Sequence, residues 1–356
     1  MKIAVYTICL NEIQFVDRWV NSVREADYLV VADTGSTDGT VKLLQSHGVN
    51  VHTISMKPWR FDDARNAALA LIPADADVCI SMDMDELMAP GWRAALEQAW
   101  TDGTTRLRYT YVSSFDANDQ PLHSFMGDKC HGRHNYRWRR PVHETVFATG
   151  NEQTVTAPSV IMWHKQDHNK SRGQYLPLLE QSHQENPNCH QTLFWLAREY
   201  AYHNKHEEAV SHFKKYLEFE GTWHEERSES QRWLSQLLPH EKLFWLRSAI
   251  ASAPDKREAW IDMAKHYYQT QDWLQCLSHA TCAINIVHKS NSYLESAESW
   301  GSKPYDLAGI AAWHLGLKQK SVELIGKAVE LNPHDQRIRN NFELVKHDMG
   351  DSANNA

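Results

Sequence analysis

The chain has 356 residues and a formal net charge of −8, from 37 basic and 45 acidic side chains. A single core stops growing near ~250–300 residues, so this length predicts more than one domain. Hydrophobic residues at 42% exclude wholesale disorder, and the acidic balance argues against broad binding to nucleic acid or to an anionic membrane.

Residues 2–9 (KIAVYTIC) and 28–33 (YLVVAD) are short, β-branched and end at polar residues, as strands do, and 49–56 and 77–83 repeat the pattern. The apolar stretch 3–10 runs into Asn11-Glu12 without a small-residue cleavage site, so it is not read as a signal peptide. Phe15, Trp19, Val20 and Val23 fall at helical spacing, and 41–44 and 64–71 supply two more helices. A βαβαβαβ run predicts a parallel sheet with right-handed crossovers. After Arg106 the pattern changes: 107–115 alternates apolar and polar residues, 116–119 is a turn, and another extended stretch follows. Residues 155–164 (VTAPSVIMWH) form the last strand of this half.

From Thr192 the chain reads as helical, with a repeat. Leu193, Leu196, Ala197, Tyr200, Ala209 and Phe213 are echoed 67 positions later by Trp260, Met263, Ala264, Tyr267, Cys276 and Ala280. Ala249 with Pro254 fills the unit between, and Tyr305, Gly309, Ser321, Ile325, Ala328 and Pro333 give another, displaced by an insertion around 291–302. Small residues where two helices cross, in units of about 34 residues closed by proline, match the tetratricopeptide pattern. Residues 336–349 read as a capping helix. The expected domains are therefore 1–168, a joining segment 169–188, the repeats at 189–349 and a frayed tail at 350–356. No apolar run reaches ~18 residues, which predicts no membrane span. Six scattered cysteines without a C-x-x-C read as buried thiols in a reducing cytoplasm.

The chemistry lies in the first half. Asp33 ends the second strand and opens Asp33-Thr34-Gly35-Ser36-Thr37-Asp38-Gly39-Thr40, where glycines permit a tight turn and Ser36 or Thr37 can cap the next helix. Such strand ends are where open α/β sheets bind ligands. Asp83-Met84-Asp85-Glu86 puts three carboxylates at the end of the fourth strand, which is costly unless they are solvated or neutralised. In an extended chain Asp83 and Asp85 point the same way and can face one divalent cation. Residues 129–140 (KCHGRHNYRWRR) hold five basic residues, two histidines and no acid. They read as a loop closing over a phosphate, with Arg133 or Arg137 pairing to it and Trp138 stacking on substrate, or as a solvated loop paired with nearby acids. Trp59 and Trp92 read as packing residues. The histidines worth testing are His131, His134, His143 and His164.

Asn11-Glu12, the DTGSTDGT turn, Asp62-Asp63-Ala64-Arg65-Asn66 and Asp83-x-Asp85 occur in the order seen in family 2 glycosyltransferases, which the first half resembles. With Pro141-Val142-His143-Glu144, Trp163-His164 and the helical repeats, the chain is similar to the bacterial and phage subgroup fused to tetratricopeptide repeats, which includes peptide S-glycosyltransferases. The resemblance implies an α/β GT-A domain followed by an all-α repeat domain, and transfer of a sugar from a nucleotide-sugar donor, a UDP-sugar foremost, with inversion. It implies that Thr7, Asn11, Glu12 and Asp33 hold base and ribose, that Arg65 reaches the nucleotide or diphosphate, and that Asp83 contacts ribose or metal. Asp85 and His164 would bind Mn2+ or Mg2+. Glu144 is favoured as the base that deprotonates the acceptor, with His143 beside it as the alternative. A pairing of Glu144 with Arg139 or Arg140 is the structural alternative. Asp33 is followed by Thr34, not by the second acid many members carry, which leaves the nucleotide open. The repeats would recognise the acceptor (peptide, glycan or modified nucleobase) or join two copies into a homodimer. The competing reading is a non-catalytic adaptor with a degenerate donor domain.

Overall fold

The computed structural model describes residues 1–116, 118–167 and 173–354, with side chains as far as Asp348. Contacts divide the chain into two compact units, Met1–Pro187 and Asn188–Ala356.

The first unit opens with β1 (Ile3–Cys9), α1 (Ile13–Ser22), β2 (Tyr28–Asp33), α2 (Thr40–Ser46), β3 (Asn50–Thr53), α3 (Phe61–Ala70) and β4 (Val78–Ser81). β5 (Glu86–Met88) and α4 (Trp92–Ala99) follow, then β6 (Arg106–Phe115), β7 (Pro121–Gly132), β8 (Tyr136–Arg139), β9 (Thr145–Ala148), β10 (Thr154–His164) and α5 (Tyr175–Glu185). The main sheet runs β3-β2-β1-β4-β7-β6-β10-β5. β1 is central and parallel to both β2 and β4, so its first four residues are fully buried and unbroken in their apolar run, as parallel strands covered on both faces require. The parallel register sends Cys9, Asp33 and the residues after Ser81 to one edge. β7 pairs antiparallel with β4 and β6, β10 runs parallel to β6, and β5 closes the sheet antiparallel to β10. This is the mixed sheet the resemblance implies. α1 buries Phe15, Val16, Trp19 and Val20, and Trp92 lies in the same core.

One expectation shifts: the fourth strand stops at Ser81, two residues short of Asp83. α5 lies within the expected joining segment 169–188 and belongs to the first unit, which ends at Pro187. Residues 168–172 of the expected joining segment, and Ala117 of the expected turn, lie outside the described residues.

The second unit stacks antiparallel helix pairs: α6 (His190–Tyr202) with α7 (His206–Leu217), α8 (His224–Leu237) with α9 (Lys242–Ser252), α10 (Arg257–Gln269) with α11 (Trp273–Asn285). The short α12 (Ala297–Trp300) lies in the insertion, followed by the pair α13 (Lys303–His314) and α14 (Lys318–Leu331) and by α15 (Gln336–Asn354). α15 runs further than the expected cap, into the stretch expected to fray; residues 355 and 356 lie outside the described residues. The small residues seen in the sequence mark the crossings: Ala197, Ala209, Ala249, Ala264 and Ala280 are fully buried. Gly309 permits the closest approach, since a Cβ there would lie 2.4 Å from the Ile325 side chain and 3.1 Å from its backbone nitrogen. These are tetratricopeptide-like pairs. Among the described residues no helix is long and apolar enough to cross a membrane.

Candidate donor and metal site

The carboxyl ends of β1 and β2 are laced to each other. Asp33, 2% exposed, accepts N–H bonds from Gly35 at 3.0 Å and Ser36 at 3.1 Å, which folds the DTGS turn back onto the strand end. Gly35 has φ +116, a conformation side chains resist. Asn11 accepts from the Thr37 N–H at 2.8 Å, and the Glu12 N–H donates to the Thr40 hydroxyl at 2.9 Å. Neither Ser36 nor Thr37 caps α2: its N-cap position is Gly39, and the preceding Asp38 accepts from the Thr40 N–H at 2.9 Å. Thr7 is fully buried with its hydroxyl donating to the Ile8 carbonyl, so it shapes the strand end and presents no hydroxyl to a ligand.

Beyond Ser81 the chain turns, with the Glu86 N–H donating to the Asp83 carbonyl at 2.9 Å. The expected extended geometry is lost, and Asp83 and Asp85 go to different partners. Asp83 accepts from the Arg65 guanidinium at 2.7 Å and lies 3.6 Å from the Lys129 ammonium. Arg65 projects from α3, is 5% exposed, and also donates to Glu144 at 2.5 Å and to the Ser81 hydroxyl at 3.3 Å. It lies 5.0 Å from the Trp138 ring centre. Burial acts against its charge, but Asp83 and Glu144 outweigh it and hold Arg65 above its ordinary value. Glu144 therefore pairs with Arg65, not with the neighbouring Arg139 or Arg140. α3 is fastened by Asn66, whose side-chain amide bonds the backbone carbonyl and N–H of Trp138 on β8, both at 2.9 Å.

Sequence reasoning missed Glu86 and Lys129. Glu86 is 1% exposed and accepts from the Tyr111 hydroxyl at 2.8 Å, the Asp83 N–H at 2.8 Å and the Lys129 ammonium at 3.3 Å. Burial works against the Lys129 charge, but Glu86 and Asp83 more than offset it and raise its affinity for the proton. The signal was present: three acids in four residues need neutralising, and the nearest basic stretch begins at Lys129.

Asp85 turns the other way. It is 6% exposed, and its carboxylate lies 3.5 Å from His164 Nε2. The pairing of β10 with β5 brings this about, because His164 is in register with Glu86. Asp83 is thus committed to Arg65, and the two expected metal ligands that meet are Asp85 and His164. One carboxylate and one imidazole suit Mn2+. Among the described residues no three His, Cys, Asp or Glu side chains converge. An ion held by Asp85 and His164 would complete its shell from phosphate and water, the usual way such ions bind nucleotides. His143 sits beside Glu144 at φ +48, its ring edge-on to Tyr175 at 5.7 Å.

The basic stretch is not a closing loop. Trp138 is 1% exposed and donates from Nε1 to the Tyr6 hydroxyl at 2.8 Å, so it packs in the core and cannot stack on substrate. Arg133 donates to the Ile72 carbonyl at 2.8 Å, and its N–H bonds Asp77, at the amino end of β4 and the wrong end of the sheet for a donor phosphate. Arg137 alternates with Trp138 on β8 and points outward. His131 Nδ1–H donates to the Gly132 carbonyl at 2.8 Å, leaving Nε2 to accept from Tyr6 at 3.0 Å. Burial pulls this imidazole down to about 4, so it stays neutral. His134 is exposed and lies 3.3 Å from the Ala74 carbonyl. Reading 129–140 as a loop missed the strand β8 at Tyr136–Arg139 and its inward-facing Trp138.

The sequence profile of glycosyl transferase family 2 matches residues 4–201, more than half of the chain. The chain belongs to this family. It is 26% identical over 171 residues to LpsC of Rhizobium meliloti (strain 1021), a lipopolysaccharide core biosynthesis glycosyltransferase, a match covering 45% of this chain and 63% of that protein's length. Among solved structures it is similar to a tetratricopeptide repeat protein of Thermus thermophilus, with 16% identity and a TM-score of 0.33 over 48% of this chain and 88% of that one. It is likewise similar to MamA of Desulfovibrio magneticus RS-1, with 15% identity and a TM-score of 0.37 over 46% and 87%.

Proposed function

We propose that the protein is a metal-dependent, inverting glycosyltransferase that moves a sugar from a nucleotide-sugar donor, a UDP-sugar, to a hydroxyl of a glycan acceptor. The observation that carries this reading is the Asp85–His164 pair at 3.5 Å beside the Arg65 cluster, at the carboxyl ends of the parallel strands. Asn11, Glu12 and Asp33 form the rim for base and ribose. Asp85 and His164 would hold Mn2+ or Mg2+, which supplies positive charge against the leaving diphosphate. Arg65 holds Asp83 and Glu144 in place at once. Glu144, fixed through one oxygen, takes the acceptor proton through the other, with His143 beside it. The glycan as acceptor follows the role printed for the R. meliloti relative. Among the described residues no cysteine forms a disulfide, which fits a cytoplasmic reaction. The repeats would take the acceptor or join two copies.

The test is a thermal-shift screen of nucleotide sugars with and without Mn2+. A donor at about 100 times its Kd adds about 2.7 kcal/mol of stability. Asp85→Asn should remove the metal-dependent part of that gain while leaving the apo melting point within a degree or two. If no nucleotide sugar shifts the melt under any metal condition, the donor site is wrong and the adaptor reading stands.

A further inference from the structure

The insertion in the helical unit packs across α6, α8 and α10 of that unit. α6, α8 and α10 are the first helices of successive pairs, the face on which solenoids receive ligands. The Tyr293 ring stacks on Trp195 of α6 at 5.4 Å and 24°, and packs 5.7 Å from Trp223, the residue before α8. Its hydroxyl donates to Glu226 of α8 at 2.6 Å. Burial and the neighbouring Glu226 keep that phenol protonated, well above its ordinary value. Ser292 donates to Glu225 of α8. Glu295 accepts from Lys256, the residue before α10, at 3.1 Å, and the Ser296 N–H donates to Glu258 of α10 at 3.0 Å. A seven-residue stretch, 290–296, thus bonds across three successive pairs through side chains and backbone, as a bound peptide does.

We propose that this face is a docking groove for an extended polypeptide carrying a tyrosine two residues before a glutamate, and that 290–296 is its intramolecular occupant, displaced when such a partner binds. Trp195, Trp223 and Glu226 make the tyrosine slot: two aromatic faces and a buried carboxylate that selects a hydroxyl over phenylalanine. Lys256 makes the acid subsite. The tethered segment competes at an effective concentration in the millimolar range, so it masks the groove from weaker external ligands.

The experiment uses the full chain and a fluorescein-labelled synthetic peptide, KSNSYLES, the sequence of 289–296, read by fluorescence anisotropy. The peptide should bind Tyr293→Ala at least 100-fold more tightly than the unchanged protein. Replacing the peptide's tyrosine by alanine, or adding Trp195→Ala to the protein, should weaken that binding at least tenfold. If Tyr293→Ala does not melt cooperatively, replacement of 289–296 by a glycine-serine linker of the same length takes its place. No saturable binding to either opened variant, equal binding to the unchanged chain, or indifference to the peptide's tyrosine would overturn the proposal.

Discussion

Arg65→Met tests whether one guanidinium holds the site together. The residue is 5% exposed and serves two carboxylates, Asp83 and Glu144, whose side chains are 33% and 12% exposed. Removing one partner of a buried pair costs about 3–5 kcal/mol, because a charge is left without compensation. Asp83 is a third exposed and regains water, so the lower end applies, about 3 kcal/mol. For a unit of this size that is about 6–12 °C of melting temperature. Arg65→Met/Asp83→Asn/Glu144→Gln, which removes the charges together, should recover most of the loss. Melts followed by far-ultraviolet circular dichroism decide it. A cost below about 1 kcal/mol, or no recovery in the triple variant, would refute the reasoning.

Three further outcomes are expected. His131 stays neutral in the core with its pKa pulled down to about 4, so its contribution is complete above about 6.5 and is lost as pH falls, by about 3 kcal/mol at pH 4. His131→Gln should flatten that slope in denaturant titrations, and an unchanged slope would place the acid sensitivity elsewhere. Tyr6→Phe strands the Trp138 N–H and the His131 Nε2 and should cost about 2 kcal/mol in urea unfolding, with no cost if water replaces the hydroxyl. Gly309→Ala should cost about 1–3 kcal/mol by overpacking against Ile325, seen as an earlier thermal transition, and a neutral result would mean that α13 and α14 can slide apart.

Much of this was legible because it rests on local rules. Parallel strands buried on both faces read as continuous apolar runs, and β1, β2 and β4 stand where the pattern puts them. Alanines at helix crossings located the pairs of the second unit. Asp85 and His164, set together by the resemblance although 79 residues apart, lie 3.5 Å from each other. What failed depended on long-range placement. The strand ends at Ser81 and the chain turns over 83–86, which sends Asp83 to Arg65 and Asp85 to His164. The basic run 129–140 crosses the sheet from end to end, so Lys129 reaches the acids while Arg133 reaches the far edge. Trp138, read as stacking on substrate, alternates inward on β8 and packs in the core.

Arg257 gives the insertion an unusual freedom of length. Its guanidinium donates to the Ile284 and Ile286 carbonyls where the chain leaves α11, and to the Ser299 carbonyl where it returns. The excursion therefore departs from and rejoins the helical stack at one side chain, and the phase of the pairs on either side does not depend on how many residues lie between. Lengthening such a loop costs only about 0.6 kcal/mol per doubling. The groove's occupant can be exchanged for another sequence without refolding the scaffold that holds it.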